Sequence, residues 1–223
     1  MNRNQLKYIA AFVMLIDHIA WAFIPTASAA GQFMHLIGRL ADPIMAYFVA
    51  EGYLHTRHIG KYALRLFLFA LVSQPPLSLF LRGTWFALPL NVMFTLLLGL
   101  LAIWFWDRSG FSPALRILGV FTLCAIAVPG DWCFMNVLWP LCFFLFREDE
   151  YKKWLSYSII AVIWVIYKFT LQGMQELYNL GMLCAPFLLH RCNGESGSSA
   201  PFHKWFFYLF YPGHLLVLWL LRT

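Results

Sequence analysis

Asp17 and His18 stand side by side in the run Ala10-Ala11-Phe12-Val13-Met14-Leu15-Ile16-Asp17-His18-Ile19-Ala20-Trp21. The run is otherwise apolar enough to cross a bilayer. An ionisable group at membrane depth costs roughly 2.5–3.5 kcal/mol on insertion scales, and it usually faces the bundle interior or a wet cavity. Two neighbouring ionisable groups in such a span are hard to dismiss as packing. The competing reading is a structural pair that hydrogen-bonds two helices together.

Two more groups belong to the same set. Arg39 lies in Leu36-Ile37-Gly38-Arg39-Leu40-Ala41-Asp42-Pro43, and His214 in Phe210-Tyr211-Pro212-Gly213-His214-Leu215. At 1.5 Å per helical residue, His18 falls about 9 Å and His214 about 12 Å from the outer ends of their helices. Arg39 enters the second span from that side, so three helices place polar groups in one slab of the outer half of the membrane. Neighbouring helical residues point about 100° apart and do not face each other. Asp17 is therefore expected to pair with Arg39 or to hold one nitrogen of His214, leaving His18 to act on a substrate. Each has a plainer explanation: Arg39 can snorkel to the headgroups, and His214 can be an interhelical hydrogen bond.

The elements that carry these groups follow from composition. Of 223 residues, 61% are hydrophobic, 19% aromatic and 12% charged, whereas a soluble domain carries about 25% charged residues. This is the composition of a polytopic, all-α membrane bundle, a single domain over residues 1–223. Its net charge of +6 is loop charge that sets topology, not a footprint of nucleic acid. The basic Asn2-Arg3-Asn4 start runs into an apolar span without a cleavage site.

Apolar runs of about 20 residues span a bilayer, and the punctuation by Gly, Pro and charge gives about nine spans. They cover residues 5–24, 33–54, 61–81, 88–106, 113–128, 133–147, 153–171, 175–190 and 203–221, with the fifth, sixth and eighth short. Pro75-Pro76 is expected to break or kink the third span, and Pro140 the sixth. Gln74 would then cap freed backbone, and Asp131 after Pro129-Gly130 reads as a turn residue. All Lys and Arg except Arg39, Arg82, Lys168 and Arg222 fall on one side of this layout. The positive-inside rule makes that side cytoplasmic, with the N-terminus in and the C-terminus out. The stretch 193–199 reads as a flexible cytoplasmic link. No internal repeat supports an inverted-repeat transporter.

Glu51, His55, Arg57, His58, Lys61 and Arg65 crowd the cytoplasmic end of the second span. Such charges commonly do no more than orient a membrane protein. Their chemical reading is a docking patch for a phosphate-bearing cofactor. The five cysteines show no CxxC pair and no ligand spacing; those inside apolar spans read as buried thiols, Cys192 reads as a loop residue, and no metal site is expected.

The order of these blocks resembles the TraX family of bacterial membrane proteins. Val13-Met14-Leu15-Ile16-Asp17-His18-Ile19 is similar to the family's L-x-L-M-x-x-D-H-I opening. Gly38-Arg39-Leu40-Ala41-Asp42-Pro43-Ile44-Met45-Ala46 is similar to its G-R-x-A-F-P-x-F-A stretch, with Asp42 in place of the aromatic. Glu51-Gly52-Tyr53, Thr56-Arg57, Ser73-Gln74-Pro75, Asn91-Val92-Met93-Phe94-Thr95 and the Phe210-Tyr211 to His214-Leu215 close follow in family order.

The resemblance implies a multi-pass protein of the bacterial inner membrane that transfers acetyl from cytoplasmic acetyl-CoA to an acceptor at the outer face. The acceptor it implies is the N-terminus of a pilin subunit; an envelope glycan is the other candidate, so the transfer is N- or O-acetylation. In this reading His18 is the general base or a transient acetyl carrier. Asp17 and His214 tune charge and orientation, and Arg39 steadies the oxyanion or the acceptor. Arg57, Lys61, Arg65, Glu51 and Asn91 are the candidate residues for acetyl-CoA, which would enter from the basic inner face. Two rival functions use the same residues differently. A proton-coupled transporter or channel would use Asp17, His18, Arg39 and His214 as a relay, and a non-catalytic pilus-assembly factor would need them only for packing.

Overall fold

Asn2 starts the first helix. Its side chain accepts the Gln5 backbone N–H at 2.9 Å, and Gln5 Oε1 accepts the Asn2 N–H at 2.9 Å, closing a capping box. The computed structural model describes residues 1–223 apart from Ser196 and Ser199, so those two positions of the expected link lie outside the described residues. Among the described residues the chain is all-helical, with no strand.

The α-helices are α1 (Arg3–Phe23), α2 (Ala29–Gly38), α3 (Ala41–His55), α4 (Ile59–Arg82), α5 (Val92–Arg108), α6 (Pro113–Ala127), α7 (Met135–Leu145) and α8 (Glu150–Gln172). A 3₁₀ helix, Gly173–Cys184, then leads to α9 (Ala185–His190) and α10 (Pro201–Arg222). Among the described residues, three helical stretches are long and apolar enough to cross a membrane: Arg3–Phe23, Ile59–Arg82 and the 41 residues Glu150–His190.

Three sequence expectations need correction. The stretch 33–54 is not one helix, because the chain turns at Arg39 and Leu40 before α3 begins. Pro43 is the physical reason: it has no N–H for the Arg39 carbonyl, and it is tolerated in the first turn of a new helix. Pro75 and Pro76 do not break the third stretch; α4 runs through both to Arg82 and ends on Gly83 at φ 68°, a left-handed cap. Pro140 likewise lies inside α7. The stretch 175–190 is mostly 3₁₀ helix, with one short α-helix after it.

The chain forms two compact units, Met1–Met45 with Ala161–Thr223, and Ala46–Ile160. In the first, α1 packs against both α2 and α10, and α2 meets the 3₁₀ helix. The buried residues of α1 are Leu6, Ala10, Ala11, Val13, Asp17 and Ala20, a helical stripe in which small residues allow close approach. Asp17 is part of that stripe. Gly181 allows the 3₁₀ helix to approach α2, since a Cβ there would sit 2.7 Å from the Leu36 carbonyl carbon.

The expected link is tied down. The Met1 ammonium donates to the Arg191 carbonyl at 2.8 Å, Arg3 N–H to the Glu195 carbonyl at 2.8 Å, and Asn4 Nδ2 to the Ser198 carbonyl at 2.7 Å. The N-terminus and the stretch after α9 therefore share one end of α1.

In the second unit α5 is central, packing against α4, α6 and α7. Gln74 fastens the loop before α5: its Nε2 donates to the Ala87 carbonyl at 2.9 Å, and its Oε1 accepts the Asn91 N–H at 2.9 Å. Its amide serves this loop, where the sequence suggested a cap on its own helix. Asp131 lies in a turn, as its Pro-Gly context implies.

Candidate active site

Asp17 is the hub of the first unit. Its Oδ2 accepts Arg39 Nη2 at 2.6 Å, and its Oδ1 accepts His35 Nδ1 at 2.8 Å. The Trp21 indole N–H, one turn on along α1, reaches Oδ2 at 3.3 Å. Both oxygens of a buried carboxylate are thus paired, one with a guanidinium in a charge-assisted bond. Gly38 makes the approach possible, because a Cβ there would sit 2.6 Å from Asp17 Cγ. The Gly38-Arg39 pair therefore acts as one device: the glycine admits the carboxylate and the arginine neutralises it.

His18 points elsewhere. Its Nδ1 lies 3.0 Å from Nε2 of His214, whose Nδ1 lies 2.7 Å from the Phe210 carbonyl. A carbonyl only accepts, so Nδ1 of His214 donates and its Nε2, in the neutral ring, accepts from His18. The same bookkeeping puts the lone pair of His18 on Nε2. His214 is buried and stacked on Phe210 at 4.8 Å between ring centroids. The backbone carbonyl thus sets the tautomer of both rings.

The expected Asp17–Arg39 pair is present, and His18 and His214 meet. Asp17 does not hold His214, however. Its second partner is His35, which the sequence reading did not single out. The signal was there: His35 and Arg39 are four residues apart, a spacing that puts both on one face of a helix. Asp42, the departure in the second motif, is buried in the first turn of α3, where the helix dipole favours an acid.

A second buried carboxylate supports the first from the 3₁₀ helix. Glu176 Oε2 accepts Tyr178 Oη at 3.1 Å and Asn179 Nδ2 at 2.7 Å, with Lys168 Nζ at 3.6 Å. Tyr178 in turn carries the Arg39 guanidinium over its ring at 5.2 Å and lies 5.1 Å from the His35 ring. Glu176 and Tyr178 were not legible as site residues, since nothing in the spacing marks a 3₁₀ turn.

The expected cofactor residues lie in the other unit. Arg57 and Lys61 are exposed, Arg65 sits over the Tyr62 ring at 5.4 Å, and His55 Nδ1 donates to the Glu51 carbonyl at 2.8 Å. Asn91 is a structural cap. Its Oδ1 accepts the Met93 N–H at 3.0 Å, and its Nδ2 donates to the Ala70 carbonyl at 2.6 Å and to Gln74 Oε1 at 2.9 Å. Buried and so engaged, it has no donor left for a cofactor.

The family model described as TraX protein matches residues 2–222. This chain belongs to the TraX family. A curated relative, the probable fimbrial assembly protein FimC, serogroup H1, of Dichelobacter nodosus, is 30% identical over 238 residues. The alignment covers 98% of this chain and 97% of that protein. No solved structure matches the chain. The TraX match runs through both units.

Proposed function

We propose that this TraX-family chain is a multi-pass acetyltransferase of the bacterial inner membrane, serving pilus assembly. It moves an acetyl group from acetyl-CoA to the N-terminal amine of a pilin subunit at the outer face. The observation that carries the reading is the Phe210–His214–His18 chain of hydrogen bonds. It holds one imidazole by another and puts the lone pair of the neutral His18 ring on Nε2, the tautomer a general base requires.

The amine nitrogen attacks the thioester carbonyl carbon while Nε2 of His18 takes its proton. The carbon–sulfur bond breaks and the thiolate leaves. Arg39, whose planar guanidinium carries five N–H donors, steadies the oxyanion. Arg57, Lys61 and Arg65 supply cations for the CoA phosphates. The relative's role in fimbrial assembly supports a pilin acceptor.

Intact masses of surface pilins from cells with and without the protein test the reading. Loss of one acetyl mass in the deletion, restored by the wild-type gene and not by His18→Ala, is the expected result. Identical pilin masses would remove the proposed acceptor.

A further inference from the structure

Of His18, His35 and His214, His35 is the imidazole that this reaction leaves idle, yet it is the one whose ring donates to a carboxylate. Donating from Nδ1 to Asp17 places the lone pair of the neutral ring on Nε2. That Nε2 is fully buried and has no hydrogen-bond partner among the described residues. Buried polar atoms are paired in the great majority of cases, so an orphaned one beside an ion pair marks a place where a partner arrives. A carboxylate that fixes the tautomer of a histidine and balances the imidazolium formed on protonation is the recurrent setting of a catalytic base.

The walls around His35 differ in how firmly they are held. Tyr178 is 4% exposed, and its hydroxyl is given to Glu176. Trp21 lies 4.3 Å from the His35 ring, is 40% exposed, and is tethered by an indole bond of 3.3 Å. It is the wall that can turn aside. Two aromatic faces beside an acid also suit an arriving cation.

We propose that Asp17–His35 is a second proton acceptor of the site, with Nε2 of His35 taking a proton from the acceptor ammonium and Trp21 as its movable cover. This rests on the acetyl-transfer reading. An α-amine has an ordinary pKa of about 7.7–8.0, so it arrives largely as an ammonium and must lose two protons to become an amide.

The first proton passes from the ammonium nitrogen to His35 Nε2, and Asp17 balances the imidazolium. The freed amine attacks the carbonyl carbon; the C–N bond forms and the C–S bond breaks. The thiolate leaves with the bonding pair, and the second proton passes to His18 Nε2. One proton then returns to solvent and one is taken up by the thiolate. His214 does not fill the first role, because its Nδ1 is given to Phe210 and its Nε2 to His18.

His35→Asn separates this role from packing. Its amide nitrogen keeps a donor to Asp17, and the distal lone pair is lost. Full-length wild type and variant in detergent are given acetyl-CoA with either a pilin N-terminal peptide or an arylamine, which is unprotonated at neutral pH. The expected result is an unchanged melting temperature and a loss of ~10²-fold or more on the peptide, with arylamine turnover kept within a few-fold. If His35→Asn fails to fold, His35→Gln is read in the same way. Equal loss on both acceptors in a folded variant, or loss on neither, overturns the proposal and leaves acetyl transfer standing. A wild type inactive on both acceptors overturns acetyl transfer and this proposal together.

Discussion

Gly38 gives the Asp17 carboxylate its room: a Cβ at that position would lie 2.6 Å from Asp17 Cγ. Neither neighbour can yield easily, since Asp17 is held by Arg39 and His35 and Gly38 closes α2. Gly38→Ala is expected to cost about 1–3 kcal/mol, as overpacking in a filled interior does. A lowered melting temperature in detergent together with lost acetyl transfer is the expected pattern. An unshifted melting temperature would show that α1 and α2 separate without cost.

Asp17→Asn keeps the shape and removes the charge. Arg39, whose side chain is 13% exposed, is then left without its counter-ion. Breaking a buried pair from one side typically costs about 3–5 kcal/mol. The double variant Asp17→Asn with Arg39→Gln should recover most of the melting temperature but not the turnover. Additive losses in the double variant would mean that the two residues do not act as a pair.

His18→Ala should lower acetyl transfer by ~10²–10⁴-fold, the usual worth of a general base. Its thermal penalty should be modest, about 0.5–1.5 kcal/mol for one hydrogen bond to His214. Turnover within a few-fold of wild type would transfer the role to His214 or His35.

Reversing Arg57 and Arg65 to Glu should weaken acetyl-CoA binding to the purified protein. The effect should shrink with added salt, because exposed charges are screened over about 8–10 Å at ~0.1–0.15 M. Equal affinity in the folded variant would leave these cations as topology signals.

Charge bias and the bonds from Met1 and Asn4 to the stretch after α9 agree that the N-terminus and Ser198 share a side. A reporter inserted beside Ser198 should therefore read cytoplasmic, and one after Thr223 should read outside. A cytoplasmic Thr223 would mean that α10 does not cross.

The helical class and family were legible because they rest on hydropathy and on residue order, which the sequence carries directly. The Asp17–Arg39 pair was legible for a similar reason: two opposite charges in apolar runs at one depth have few other partners. His35 escaped because an imidazole in an apolar run reads as packing until its orphaned nitrogen is seen. Glu176 and Tyr178 escaped because a 3₁₀ helix advances by three residues per turn, so a 3.6-residue pattern misplaces its faces. Of the expected break or kink at the proline pair, the break is absent. Two adjacent prolines cost a helix its N–H groups, but α4 accommodates them without ending.

The unit that holds Asp17, His18, His35, Arg39 and His214 is assembled from the two ends of the chain, while residues 46–160 make up the other. During biosynthesis the first helix is therefore made long before α10 can meet it. A nascent chain presents Asp17 and His18 to the membrane with neither Tyr178 nor His214 yet translated. No nascent chain that stops short of His214 carries the full set of these side chains. Synthesis through His214 is the step that lets these five side chains come together in one unit.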